Sequence, residues 1–185
     1  MTRSGTIGGR LAGTLSAIAI ILLATPAAAA TISETVKGVS VTYNDTLWSA
    51  AIEDHDIDLK CKSDACGGDS GECETSLSVA KPGVTSRDFF DQFQQMYTDS
   101  LVEEFDKLGV DPVVVDRPTT FMEGGAIVSI SSIRYDESGT PTRAWSAAQE
   151  APFGAVTLTC YGSEDKYETA ETAWLTLLKG IAIPK

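Results

Sequence analysis

Apolar and polar residues alternate at Val39, Ser40, Val41, Thr42 and Tyr43, the period of a short strand with one buried face. Asn44 and Asp45 supply turn chemistry, and Trp48 to Ile52 reads as a second short strand. Ile57, Leu59 and Cys61 then alternate with Asp58, Lys60 and Lys62, and Leu77 and Val79 continue the pattern on a return strand. From Ser86 to Leu108 the period becomes helical. Phe89, Phe90, Phe93, Met96, Tyr97, Leu101, Phe105 and Leu108 recur every three or four residues, with Ser86 as the expected N-cap and Gly109 as the stop. A compact apolar run at Val113 to Val115 precedes Pro118. Ala126 to Tyr135, Arg143 to Gln149 and Ala155 to Tyr161 then make a three-stranded antiparallel meander. Ser163 is placed to open a second helix, whose stripe is Tyr167, Ala170, Trp174, Leu177 and Leu178, and Gly180 ends it ahead of Ile181 and Ile183. Each helix is apolar on one side only, so each needs a sheet to cover. The expected fold is α+β: an antiparallel sheet of about six strands with two amphipathic helices on it, one on each face or both on one.

Everything ahead of the first strand has a different character. Arg3 and Arg10, the apolar run Leu11 to Leu23, the break at Pro26 and the alanines from Ala27 to Ala30 form the pattern of a secretory signal peptide, expected over residues 1–30. A spanning helix would need roughly 20 unbroken apolar residues, so stable membrane insertion is not expected after cleavage. Removing 30 of the 185 residues leaves 155, residues 31–185, enough for a single domain with a sizeable core. Both leader arginines go with it, so 12 basic residues face 26 acidic ones and the net charge moves from −12 to −14. That balance argues against nucleic acid, whose phosphates require Lys and Arg. It suits a basic protein partner.

The four cysteines, Cys61, Cys66, Cys73 and Cys160, all lie in the exported part. Four and then six residues separate the first three, unlike the close C-x2-C pairs of structural zinc sites, and none begins a helix as part of a redox C-x-x-C pair. They read as a disulfide framework of the periplasm or the secreted space. A turn centred near Asp69 and Ser70 would set Cys66 opposite Cys73, leaving Cys61 on an apolar face to reach Cys160. The expected bridges are therefore Cys66 to Cys73 and Cys61 to Cys160.

Candidate chemistry is sparse. Gly68-Asp69-Ser70-Gly71 matches the nucleophile segment of trypsin-like serine proteases, and His55 is the one histidine. The two lie only fifteen residues apart, and 155 residues cannot supply that protease's two barrels. A small hydrolase using Ser70 and His55, or a carboxylate pair, is the alternative reading. No catalytic residue, cofactor or metal site is assigned. Asp54, Asp56 and Asp58 resemble the start of a calcium loop, but Leu59 stands where an EF-hand needs glycine. Between Glu53 and Glu74 eight carboxylates, among them Asp54, Asp56, Asp58, Asp64, Asp69 and Glu72, face only Lys60 and Lys62. That stretch is expected to be an acidic surface that steers a basic partner or weakly gathers divalent cations, without forming a stoichiometric metal site.

Tyr43 and Trp48 after the first strand, the helix from Ser86, and the closing Trp174, Leu177, Leu178, Gly180 and Ile181 to Pro184 follow an order that resembles the PsbP-like family of α/β/α sandwiches. The resemblance covers most of the chain after the leader. It implies a noncatalytic accessory or assembly protein; the cysteine hairpin departs from the family pattern.

Overall fold

The computed structural model describes residues 29–33, 37–68, 71–123 and 126–185. In chain order the strands are β1 (Ala29–Ser33), β2 (Ser40–Asn44), β3 (Trp48–Glu53), β4 (Asp56–Cys61) and β5 (Glu72–Val79), followed by helix α1 (Ser86–Lys107). Strands β6 (Val113–Glu123), β7 (Ala126–Glu137), β8 (Thr140–Ala151) and β9 (Gly154–Ser163) lead to helix α2 (Tyr167–Gly180) and the short β10 (Ile181–Ala182). Seven strands form one antiparallel sheet in the order β3-β4-β5-β9-β8-β7-β6, and β1-β2-β10 form a second. The architecture is α+β as expected, but the sheets hold seven and three strands rather than about six in all. Three elements contribute to the difference. β1 falls partly on the alanines assigned to the leader, β10 on the apolar tail, and the Val113 run extends across Pro118 to Glu123 as an edge strand, where a missing N–H is tolerated.

The period-two pattern of the large sheet assigns its two faces. On β8, Trp145 and Ala147 point to one side, with Val156, Leu158 and Cys160 of β9, Ile57 and Leu59 of β4, and Trp174 and Leu177 of α2. Val41 of the small sheet and Val39, just ahead of β2, complete that core, and all of these side chains are buried. Ala144 and Ala148 point to the other side. There Phe90 and Phe93 of α1 meet Ala148 and Ala155, while Leu101 and Phe105 meet Ile133 and Tyr135. The helices therefore lie on opposite faces of the sheet. Under α1 the sheet is rich in hydroxyls, which satisfy one another: Tyr97 with Thr159 at 2.7 Å, Ser76 with Thr157 at 2.6 Å and Thr98 with Ser131 at 3.1 Å.

Local details depart from the periodicity for identifiable reasons. Thr85, not Ser86, caps α1: its hydroxyl accepts from the Asp88 amide and donates to the Asp88 carboxylate. Met96 lies about 100° from Tyr97 around the helix and is 56% exposed, and Leu108 lies beyond the last turn and is 71% exposed. Before α2, Glu164–Lys166 wind as a 3-10 turn fixed by Arg143, which donates from Nε and from its terminal nitrogen to the two oxygens of Glu164 at 2.7 and 2.6 Å. This hydrogen-bonded pair holds the Glu164 carboxyl below the usual range and the Arg143 guanidinium above it. The guanidinium also lies 4.3 Å from the Tyr167 ring centre.

At the end of α2, a Cβ built on Gly180 would sit 2.1 Å from the Thr42 carbonyl oxygen of β2. Gly180→Ala, ordinarily favourable in a helix, should here separate α2 from the small sheet and cost about 1–3 kcal/mol. Urea unfolding of the variant measures this.

The structure corrects the expected disulfide pairing. The bridges are Cys61–Cys66 and Cys73–Cys160. The ladder between β4 and β5 closes where the Cys61 amide donates to the Gly71 carbonyl, and the intervening chain winds into a 3-10 turn at Asp64–Cys66 instead of extending both strands. That turn is capped by Ser63 and brings Cys66 back to Cys61. Gly71 permits the close approach, because a Cβ there would stand 2.7 Å from the Cys66 carbonyl oxygen. Cys73 faces Cys160 directly across β5 and β9, with Cα atoms 4.0 Å apart. The two bridges suggest an oxidising, exported environment. No helix among the described residues is long and apolar enough to cross a membrane. Residues 1–28 of the expected leader lie outside the described residues, and its expected boundary falls inside β1, where Ala29 and Ala30 pair with Asn44 and Tyr43.

Candidate functional site

The seven-stranded sheet is covered unevenly. α1 lies over β6 to β9, and the same face of β3, β4 and β5 continues beyond it. Alternation decides what that continuation displays. Ile57, Leu59 and Cys73 turn inward to α2, so Asp56, Asp58, Lys60, Glu72 and Glu74 turn outward. The register sets Asp58 opposite Glu74, Lys60 opposite Glu72, and Glu53 opposite Asp56. Five carboxylates and one lysine thus share a single half-sheet.

Crowding shows in their protonation. Burial, then the neighbouring Asp58 charge, raises the Asp56 carboxyl above its ordinary range. Burial and Glu53 raise Asp58, while burial followed by Asp56 and Asp58 raises Glu74. The face is therefore short of positive charge. Among the described residues, no group of three His, Cys, Asp or Glu side chains is placed to hold a metal ion.

Two adjoining clefts open along this face. One, about 500 Å³, is lined by Phe105, Tyr135, Tyr161, Glu72 and Glu137 with Lys60, Cys61, Gly71 and Thr142; the other, about 210 Å³, by Glu53, Asp58, Glu72, Glu74 and Tyr161 with Leu59, Lys60 and Cys73. Phe105 and Tyr135 stack with ring centres 4.3 Å apart. Burial, reinforced by Glu137 and Glu72, pushes the Tyr135 phenol up to about 12, and burial raises Tyr161 further.

The expected acidic surface is only partly one surface. Asp56, Asp58 and Glu72 come together as described. Asp54 and His55 instead form the exposed two-residue turn between β3 and β4, with φ of 47° and 82°. Asp64 lies in the 3-10 turn, where its hydrogen bond from the Lys166 ammonium keeps its carboxyl below the ordinary value. Asp69 and Ser70 lie outside the described residues. Gly71 pairs with Cys61 at the far end of β4 from His55, and six residues of strand separate those ends by about 20 Å. The aromatic wall of Phe105, Tyr135 and Tyr161 was not read from the sequence. It comes from three elements far apart in the chain, and its local signal is that Phe105 lies on the apolar stripe of α1 while Tyr135 and Tyr161 sit on the α1-facing phase of their strands.

No family model matches the chain, and no curated protein matches it. Solved structures do. The chain is similar to the PsbP protein CyanoP of the cyanobacterium Synechocystis, at 12% identity and a TM-score of 0.59, over 93% of this chain and 98% of that one. It is similar to a Bacteroides thetaiotaomicron protein at 12% identity and a TM-score of 0.52, over 80% of this chain and 45% of that one. A Pseudomonas aeruginosa protein of unknown function aligns at 11% identity and a TM-score of 0.50, over 84% and 97% of the two chains. At such identities the likeness shows the fold alone, and the fold is PsbP-like.

Proposed function

We propose that this chain is an exported, noncatalytic binding or assembly module of the bacterial periplasm, and that its acidic half-sheet receives a basic protein partner. The observation that carries this reading is the bare face of β3, β4 and β5, where Glu53, Asp56, Asp58, Glu72 and Glu74 meet Lys60 alone. Asp56, Asp58 and Glu74, raised first by burial and then by neighbouring negative charges, would gain a countercharge from a cationic partner. The PsbP-like fold is consistent with an accessory role.

The test is capture of the partner from a periplasmic extract by residues 31–185, at low and high salt. Capture should fall with salt, because exposed charges are screened within about 8 Å at physiological ionic strength. The triple variant Asp56→Asn, Asp58→Asn, Glu74→Gln should reduce capture about tenfold. It should not lower the melting temperature. These groups bind protons more tightly in the folded state, so their contribution to stability is complete below the ordinary carboxyl range. It is lost as pH rises through the raised values, leaving partly buried and mutually repelling charges at neutral pH. Wild-type melting temperature should accordingly gain on the variant's as the pH falls from 7 toward 4. Salt-insensitive capture that the variant retains would sink the reading.

A further inference from the structure

The clefts beside the acidic half-sheet differ from it in having an apolar wall. Phe105 and Tyr135 form a stacked pair at one side and Tyr161 stands between the two spaces, while Glu72, Glu74 and Glu137 border them. Carboxylates spread around a rim do not make the six to eight close oxygens of a calcium site. They suit a compact charge that needs a negative field and a few acceptors, carried on an alkyl stem that needs apolar contact.

We propose that the larger cleft binds a protonated primary amine on an alkyl chain, with the methylenes against Phe105, Tyr135 and Tyr161 and the ammonium toward Glu72 and Glu137. The amine is either a lysine side chain of a protein partner or a free aliphatic diamine. The first source rests on the reading of the half-sheet as a partner surface; the cleft walls stand independently of it. The larger cleft, about 500 Å³, is within the range of small-ligand sites and ample for a lysine side chain. Among the described residues, Lys60 borders both clefts and supplies the one opposing charge on their walls. The phenol of Tyr135 is raised first by burial and then by Glu137 and Glu72, so both carboxylates act on that wall.

Calorimetric titration of residues 31–185 with 1,5-diaminopentane and with Nα-acetyl-lysine amide tests this, with Nα-acetylnorleucine amide as the uncharged control. Saturable binding with Kd on the order of 0.1–1 mM is expected for an amine and none for the norleucine compound. Glu72→Gln combined with Glu137→Gln should weaken binding about tenfold, and Lys60→Gln should tighten it severalfold. Tyr161→Phe, which keeps the ring, should change it less than about twofold. Melting scans establish that each variant is folded.

Diamine binding without lysine-amide binding supports a free amine, and binding of both supports a partner's lysine. No saturation by either amine, equal binding of the norleucine control, or indifference to the Glu72 and Glu137 changes overturns the proposal. If amines fail to bind while salt-sensitive capture persists, the cleft proposal falls and the partner surface stands. If amines bind while capture ignores the half-sheet variant, the partner surface falls and the cleft proposal stands.

Discussion

Removing the Cys73–Cys160 bridge with the double variant Cys73→Ala, Cys160→Ala should destabilise the protein by about 4.6 kcal/mol, against about 2.2 kcal/mol for Cys61→Ala with Cys66→Ala. The difference comes from loop length, because the two bridges join residues 87 and five apart in sequence, and the chain-entropy gain grows with the logarithm of the loop. Packing adds to it. Cys73 and Cys160 are buried in the α2-side core beside Leu59 and Leu158, whereas Cys61 is only partly buried. Urea unfolding of the two double variants without reductant measures both numbers, and non-reducing peptide mapping should recover Cys73 joined to Cys160. Equal losses in the two variants would mean that the long bridge does not constrain the unfolded chain as this loop length requires.

Trp174→Ala should cost about 4 kcal/mol, in the range for emptying the site of a large buried aromatic. The side chain is fully buried, with its ring 6.1 Å from that of Trp145 and 5.8 Å from that of Tyr167. It also touches Gly162, where a Cβ would stand 3.2 Å from the indole. Its Nε1 donates to the Cys66 carbonyl at 3.3 Å, which ties α2 to the 3-10 turn of the small disulfide loop. Trp174→Phe keeps most of the volume but loses that donor, so it should cost less, about 1–2 kcal/mol. Trp174→Asp should abolish cooperative folding, because it leaves an unpaired charge in the core. Melting scans of the three variants order these effects, and a cooperatively melting aspartate variant would contradict the burial of this face.

Much of the secondary structure was legible because it follows local periodicity. Ile57 and Leu59, Phe90 and Phe93, and Trp174 and Leu177 recur at two, three or four residues, and each went to the core expected for its strand or helix. Misplacements arose where one position had two local readings. Val79 shares the phase of Leu77 yet is 55% exposed, because it is the last residue of β5 and lies opposite Gly154, which has no side chain to cover it. The stretch from Val113 was cut short at Pro118, whereas an edge strand with register shifts around Asp116 and Thr119 accommodates it.

The candidate site divides the same way. Its carboxylates were visible as a run, and alternation already separated Asp56 and Asp58 from Ile57 and Leu59. The aromatic wall was invisible, since Phe105, Tyr135 and Tyr161 become neighbours only when β9 inserts beside β5 and α1 crosses the sheet.

By itself, then, the sequence determined an α+β chain with two one-sided helices, an acidic hairpin region and a disulfide framework, because periodicity, charge and cysteine content are properties of near neighbours. Tertiary structure alone decided which cysteines pair, that the helices take opposite faces, and which half of the sheet stays uncovered. Each of these depends on strand order and register across tens of residues. A one-residue slip between β5 and β9 would move Cys73 away from Cys160 and exchange the acidic face with the core.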